Sequence, residues 1–173
     1  FEGIQLVLPT TVFEDRHVLN LDGTEVHLIY VGPCHQTGDT LIHVPSEGVV
    51  FTGDVIFHEC TPMGWTGSYD KWFKCLDLLL DLDPEVIVPG HGPLCGIEGV
   101  SEMRAYLEYV RDESRRHFDA GLTSLEAATR IEFVTTVRFG MSTSCWARAY
   151  VVVPAETAIA IPGSTSPAAA RAM

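Results

Sequence analysis

Three short segments of the 173-residue chain carry side chains that bind metal ions. They read Gly32-Pro33-Cys34-His35-Gln36-Thr37-Gly38-Asp39, Phe51-Thr52-Gly53-Asp54 and Val88-Pro89-Gly90-His91-Gly92. Neutral imidazole and ionised carboxylate suit a zinc-type ion, with ligand distances of about 2.0–2.2 Å. Each candidate ligand, His35, Asp54 or His91, follows a strand-like run and sits beside Gly or Pro. Glycine permits tight turns and keeps bulk away from a bound ion. Taken singly these signals are weak, since a lone His is most often a surface or core residue and an Asp after Gly a turn residue. Taken together, in this order, they are specific. His58 lies four residues after Asp54 and reads in two ways, as a substitute ligand or proton shuttle, or as a solvated loop histidine. Cys34 and Cys60 read as small packing residues, and Asp39 as an Asx-type turn residue bonding its own loop. His17, His27, His43 and His117 read as surface residues. No Gly-rich phosphate loop, serine nucleophile elbow or dinucleotide fingerprint is present.

The ligands need elements to position them. Ile4 to Leu8 is expected as a short strand, Val18 to Leu21 as a second, and Glu25 to Val31 as its hairpin partner across Asp22-Gly23. Leu41 to Val44 and Val49 to Phe51 form another expected hairpin around Pro45 to Gly48. Ser68 is a candidate N-cap for an amphipathic helix over 69–82, because Trp72, Phe73, Leu76, Leu79 and Leu80 recur at helical spacing. Asp83-Pro84 ends it, and Val86 to Val88 is a short buried strand. A long helix is expected over 98–119, closed by Gly121, followed by a short one opened by a Thr123/Glu126 capping box. The composition shifts near residue 132, dividing the chain into residues 1–131 and an atypical tail, 132–173. In that tail 134–138 and 149–153 read as strands, and 162–173, rich in Pro, Ser, Ala and Gly, as disordered.

Bulk properties bound the function. Apolar residues make up 46 % and charged residues 20 %, as in a folded globular protein. A net charge of -12 argues against a nucleic-acid partner, which needs a basic surface. Five cysteines, an odd number with no close pair, do not make a disulfide framework, so a reduced, cytoplasmic setting is expected. No basic stretch followed by an apolar run stands at the start, no run approaches membrane-spanning length, and Phe1 as the opening residue is expected of a fragment.

The stretch from about Val18 to Tyr109 resembles the second half of the metallo-β-lactamase superfamily. The resemblance rests on the His35 loop, on Thr52-Gly53-Asp54-Val55-Ile56-Phe57 and on Pro89-Gly90-His91-Gly92. It implies half of a four-layer αββα sandwich, an α/β fold with a mixed sheet and helices on one face. It implies that Asp54 bridges two metals and that His35 and His91 each bind one. The family's principal signature, His-x-His-x-Asp-His, is absent from this sequence. Each metal would therefore keep one histidine and share Asp54, fewer than the three protein ligands usual for catalytic zinc. The sheet face that the other half would cover would be left exposed and apolar, beyond what a soluble monomer shows. A homodimer pairing these faces would cover it and could complete the metal site.

The functional expectation is a zinc-dependent hydrolase acting on ester-type small molecules, namely phosphoesters, lactones or carboxylic esters, with broad specificity. Asp54 and His58 carry the catalytic roles, with His58 doubling as the added ligand. The alternatives are a catalytically silent metal-binding remnant and a non-enzymatic oligomeric module.

Overall fold

In the computed structural model, described for residues 3–64 and 66–131, five strands form one mixed sheet. Chain order gives β1 (Arg16–Leu21), β2 (Thr24–Tyr30), β3 (Thr40–Val44), β4 (Val49–Phe57), α1 (Tyr69–Leu82), β5 (Val86–His91), α2 (Ile97–Asp119) and α3 (Ser124–Arg130). The strands lie in sequence order across the sheet. The first four are antiparallel neighbours, and β5 joins β4 in parallel. A parallel pair needs a crossover, and α1 supplies it.

Local chemistry explains the boundaries. The Asp22-Gly23 turn joins β1 to β2, with both residues at positive φ. The Ser68 hydroxyl accepts the Lys71 N–H and opens α1. Gly121, at φ +79°, sits just past α2, and its N–H donates to the Phe118 carbonyl. Thr123 and Glu126 complete the expected capping box of α3.

Register separates the two faces of the sheet. Leu41, His43, Val50 and Ile87 share one face, since His43 pairs with Val50 and Val50 with Ile87. Both long helices pack there, through Trp72, Cys75, Leu76 and Leu79 of α1 and Val100, Met103, Leu107 and Val110 of α2. On the opposite face lie Leu19, Leu21, Ile42 and Phe51. Of these Leu21 is 58 % exposed and Phe51 43 %. One face is thus a core and the other an open apolar surface, as expected of half a sandwich.

Three expectations change. Ile4 to Leu8 forms no strand and is exposed, because no neighbouring strand offers it backbone partners. Strand β4 continues six residues past Phe51 to Phe57, and β5 continues to His91. His43 and His117 are buried, not surface residues, at 9 % and 8 % exposure. The sheet face of His43 is the one that the helices cover. The expected strands and disorder beyond residue 131 lie outside the described residues. No helix among the described residues is long and apolar enough to cross a membrane.

Candidate metal centre

The site forms past the end of β2, within the last half of β4 and at the end of β5. The His35 loop is strapped by its own polar groups. Asp39 Oδ2 accepts the N–H of Cys34 at 2.8 Å and of Gln36 at 3.0 Å. The Asp39 carbonyl accepts the Val31 N–H at 2.9 Å. The Asx-type role expected of Asp39 is therefore observed. The strapping turns His35 inward, where it is 5 % exposed. Its Nδ1 donates to the Met63 carbonyl, which directs Nε2 toward Asp54. The Gln36 side-chain amide also reaches His35 Nε2, at 3.3 Å.

Asp54 lies inside β4, where the register with β5 shifts on either side of Gly53. That irregularity turns its carboxylate toward both histidines. His35 Nε2 lies 3.3 Å from Oδ2, and His91 Nε2 lies 3.5 Å from Oδ1. His91, the last residue of β5, is held there by two close backbone approaches. A Cβ on Gly90 would stand 2.6 Å from the Gly53 carbonyl carbon. Gly92, at φ +92°, presses its Cα against the His58 carbonyl, and a Cβ there would lie 1.7 Å from that oxygen. The His58 N–H donates to the His91 carbonyl at 2.9 Å and closes the corner.

These separations fit a metal centre better than direct hydrogen bonds. Strong imidazole–carboxylate contacts are shorter, about 2.7–2.9 Å. Two ligands about 2.0–2.1 Å from a tetrahedral ion stand about 3.3 Å apart. The donor set, imidazole and carboxylate, is also the one zinc takes. The arrangement places one imidazole nitrogen beside each carboxylate oxygen of Asp54. Among the described residues no group of three His, Cys, Asp or Glu side chains is assembled to hold one ion.

The structure brings His35, Asp54 and His91 together and leaves His58 outside this group. Its Nδ1 lies 3.1 Å from the Pro93 carbonyl and its Nε2 3.6 Å from Glu102 of α2. Cys34, Cys60, Cys75 and Cys95 are buried and form no disulfide among the described residues; Cys145 lies outside them. A hydrogen bond with Cys34, together with burial, holds the Cys75 thiol far above the ordinary thiol range. Burial, with Glu98 and Glu102 nearby, pushes Cys95 up to about 11. Protonated thiols of this kind are packing groups rather than ligands. Phe57, read from sequence only as part of an apolar run, contacts both histidine rings. Its ring stacks on His91 at 4.9 Å and leans on His35 at 5.7 Å.

Comparison with known proteins identifies the family of this fold. The family model of the metallo-beta-lactamase superfamily matches residues 3–91. The chain is 35 % identical over 92 residues to the 2,4-dinitroanisole O-demethylase subunit alpha of Nocardioides sp. (strain JS1661), covering 50 % of this chain and 27 % of that protein. It is 28 % identical over 116 residues to the metallo-beta-lactamase type 2 of Bacteroides fragilis, covering 64 % of this chain and 47 % of the enzyme. Among solved structures, a metallo-beta-lactamase family protein from Thermus thermophilus superposes with a TM-score of 0.57. That match has 22 % identity and covers 78 % of this chain and 45 % of the other. The chain belongs to the metallo-beta-lactamase superfamily, whose members are mostly hydrolytic metalloenzymes that typically bind divalent metals, often zinc. It spans between about a quarter and a half of the length of the curated relatives it matches.

Proposed function

We propose that this chain forms part of a zinc-dependent hydrolase acting on ester-type substrates, such as phosphoesters, lactones or carboxylic esters. The observation that carries the reading is the placement of one imidazole on each oxygen of Asp54. Asp54 would hold two ions in register, and His35 and His91 would each hold one. When bound, zinc supplies Lewis acidity and lowers the pKa of water toward neutrality. The buried His35 and the adjacent Phe57 keep one wall of the site dry. His58, anchored on Pro93 and Glu102 at the rim, is suited to moving a proton rather than to holding metal.

The substrate reading gains support from charge. The sequence contains two lysines, Lys71 and Lys74, and both line one recess of about 290 Å³ with Tyr30, Val31 and Gly32. The recess abuts the His35 loop, since Cys34 Sγ lies 3.9 Å from the Lys71 carbonyl. In a chain of net charge -12, this is a place for the anionic end of an ester.

We also propose that two copies pair through the open sheet face. The exposure of Leu21, Ile42 and Phe51 supports that pairing. A monomeric mass by light scattering at micromolar concentration would exclude it.

The test of the function is metal analysis beside a panel of activated esters. Zinc at about one ion or more per dimer is expected. Turnover should be lost to chelation and regained with zinc. Asp54→Ala should abolish both zinc binding and turnover while circular dichroism stays unchanged. Zinc without turnover would identify a catalytically silent remnant, and neither would identify a non-enzymatic module.

A further inference from the structure

The two imidazoles that face Asp54 are held in different ways. His35 is fixed from behind, through its Nδ1 bond to the Met63 carbonyl. Metal-binding histidines almost always rely on such a partner at the second ring nitrogen. His91 shows none among the described residues. Its ring contacts are the Asp54 carboxylate and Phe57, and its side chain is 57 % exposed. It also sits at the end of an edge strand, where the His58 N–H holds its backbone but not its ring. The ring it stacks on is Phe57. The two residues are register partners across β4 and β5, and their rings lie within 12° of parallel at 4.9 Å. Phe57 is itself part of the core. It is 4 % exposed, and its N–H donates to the Met103 sulfur of α2 at 3.4 Å. The same ring meets His35 at 52° and 5.7 Å.

We propose that Phe57 is a positioning residue for the metal centre, fixing the His91 imidazole against Asp54 in place of a hydrogen bond and steadying His35. The inference rests on the metal-binding reading given above. Without the ring, His91 would rotate freely, and metal binding would have to restrict it. An aromatic pair adds affinity beyond its buried area, and loss of a ligand's outer support costs about 10–100-fold in metal affinity. About tenfold is expected here, because the contact is stacking alone.

The experiment compares the whole 173-residue chain with Phe57→Leu and Phe57→Tyr. Zinc affinity is measured by chelator competition, the visible spectrum after cobalt substitution, and the unfolding temperature alongside. Phe57→Leu should lose about tenfold in zinc affinity and shift the cobalt bands, and Phe57→Tyr should restore both. Wild-type affinity and unchanged cobalt bands in a folded Phe57→Leu, with only the unfolding temperature lowered, would reduce Phe57 to a core residue and overturn the proposal. If Phe57→Leu does not fold, the wild-type metal-free protein decides. Upfield ring-current shifts of the His91 protons support the stacking, and random-coil shifts overturn it. Absence of zinc binding in the wild-type chain would instead overturn the metal reading, and this proposal with it.

Discussion

Gly90→Ala tests how closely β4 and β5 approach at the metal centre. The added Cβ would lie 2.1 Å from Asp54 Oδ1, 2.6 Å from the Gly53 carbonyl carbon and 2.7 Å from the Asp54 nitrogen. The first contact is with a side chain that could swing away. The other two are backbone and can be relieved only by separating the strands. Overpacking of this kind costs about 1–3 kcal/mol, and backbone contacts place it near the upper end. Gly90 is not at positive φ. Alanine therefore regains about 0.4–1 kcal/mol through the unfolded chain. The net loss is about 2–3 kcal/mol, which lowers the unfolding temperature by roughly 5–10 °C in a chain of this size. The separation also moves Asp54 from His91, so zinc content should fall with stability. Gly38→Ala is the control, because Gly38 lies in the His35 loop with nothing within 4 Å of its added Cβ. It should leave stability within about 1 kcal/mol of wild type. Thermal unfolding with metal analysis decides the matter. Gly90→Ala matching Gly38→Ala in both measures would refute the close approach on which the site depends.

His58→Ala should keep wild-type zinc content while turnover falls about 10²–10⁴-fold; loss of zinc would place His58 among the ligands. Lys71→Ala with Lys74→Ala should raise KM for anionic esters and leave neutral esters unchanged, a difference that added salt should shrink. Burial, then His27 and Arg16, lower the His43 pKa below its ordinary 6.5. The unfolded chain therefore takes up this proton first as pH falls, so the contribution of His43 to stability is constant above about pH 7 and declines below 6.5. Denaturant titrations of His43→Gln should show a flatter decline over that range. Under the proposed pairing, zinc should favour the dimer, and light scattering with and without chelator should show it.

The trio of His35, Asp54 and His91 was legible as a candidate because its signal is local: a histidine or aspartate close to glycine, following a strand-like run. The helices were legible for the same reason, since the Ser68 cap, the Thr123 box and Gly121 act within one turn of themselves. What depends on long-range placement was not. Whether Ile4 to Leu8 pairs depends on a neighbour that its own alternation cannot reveal. His43 alternates with Ile42 and Val44, so either sheet face could have been the inner one until the helices chose. The direction of the His58 ring was hidden because it depends on Glu102, in a helix forty-four residues further on. Phe57 was hidden more deeply. Its pairing with His91 passes through two register shifts between parallel strands, and no sequence spacing encodes these.

The candidate centre, with one imidazole on each Asp54 oxygen, and the open sheet face are two expressions of one architecture. Each Asp54 oxygen meets a single imidazole, so an ion held there needs donors from beyond β2, β4 and β5. The sheet bearing these donors buries one face under α1 and α2 and leaves Leu19, Leu21, Ile42 and Phe51 on the other. A partner that docks on that face gains apolar burial at about 25 cal/mol per Å², a driving force independent of metal. Only a partner that also presents nitrogen or oxygen donors at the strand ends gains metal ligation. Burial alone would therefore stabilise any apolar cover, and a bound metal would select the cover that completes the site. This is why the dimer and the zinc centre, both proposed above, are tested most sharply together. A dimer indifferent to chelation would mean that the face is paired but the site is not shared.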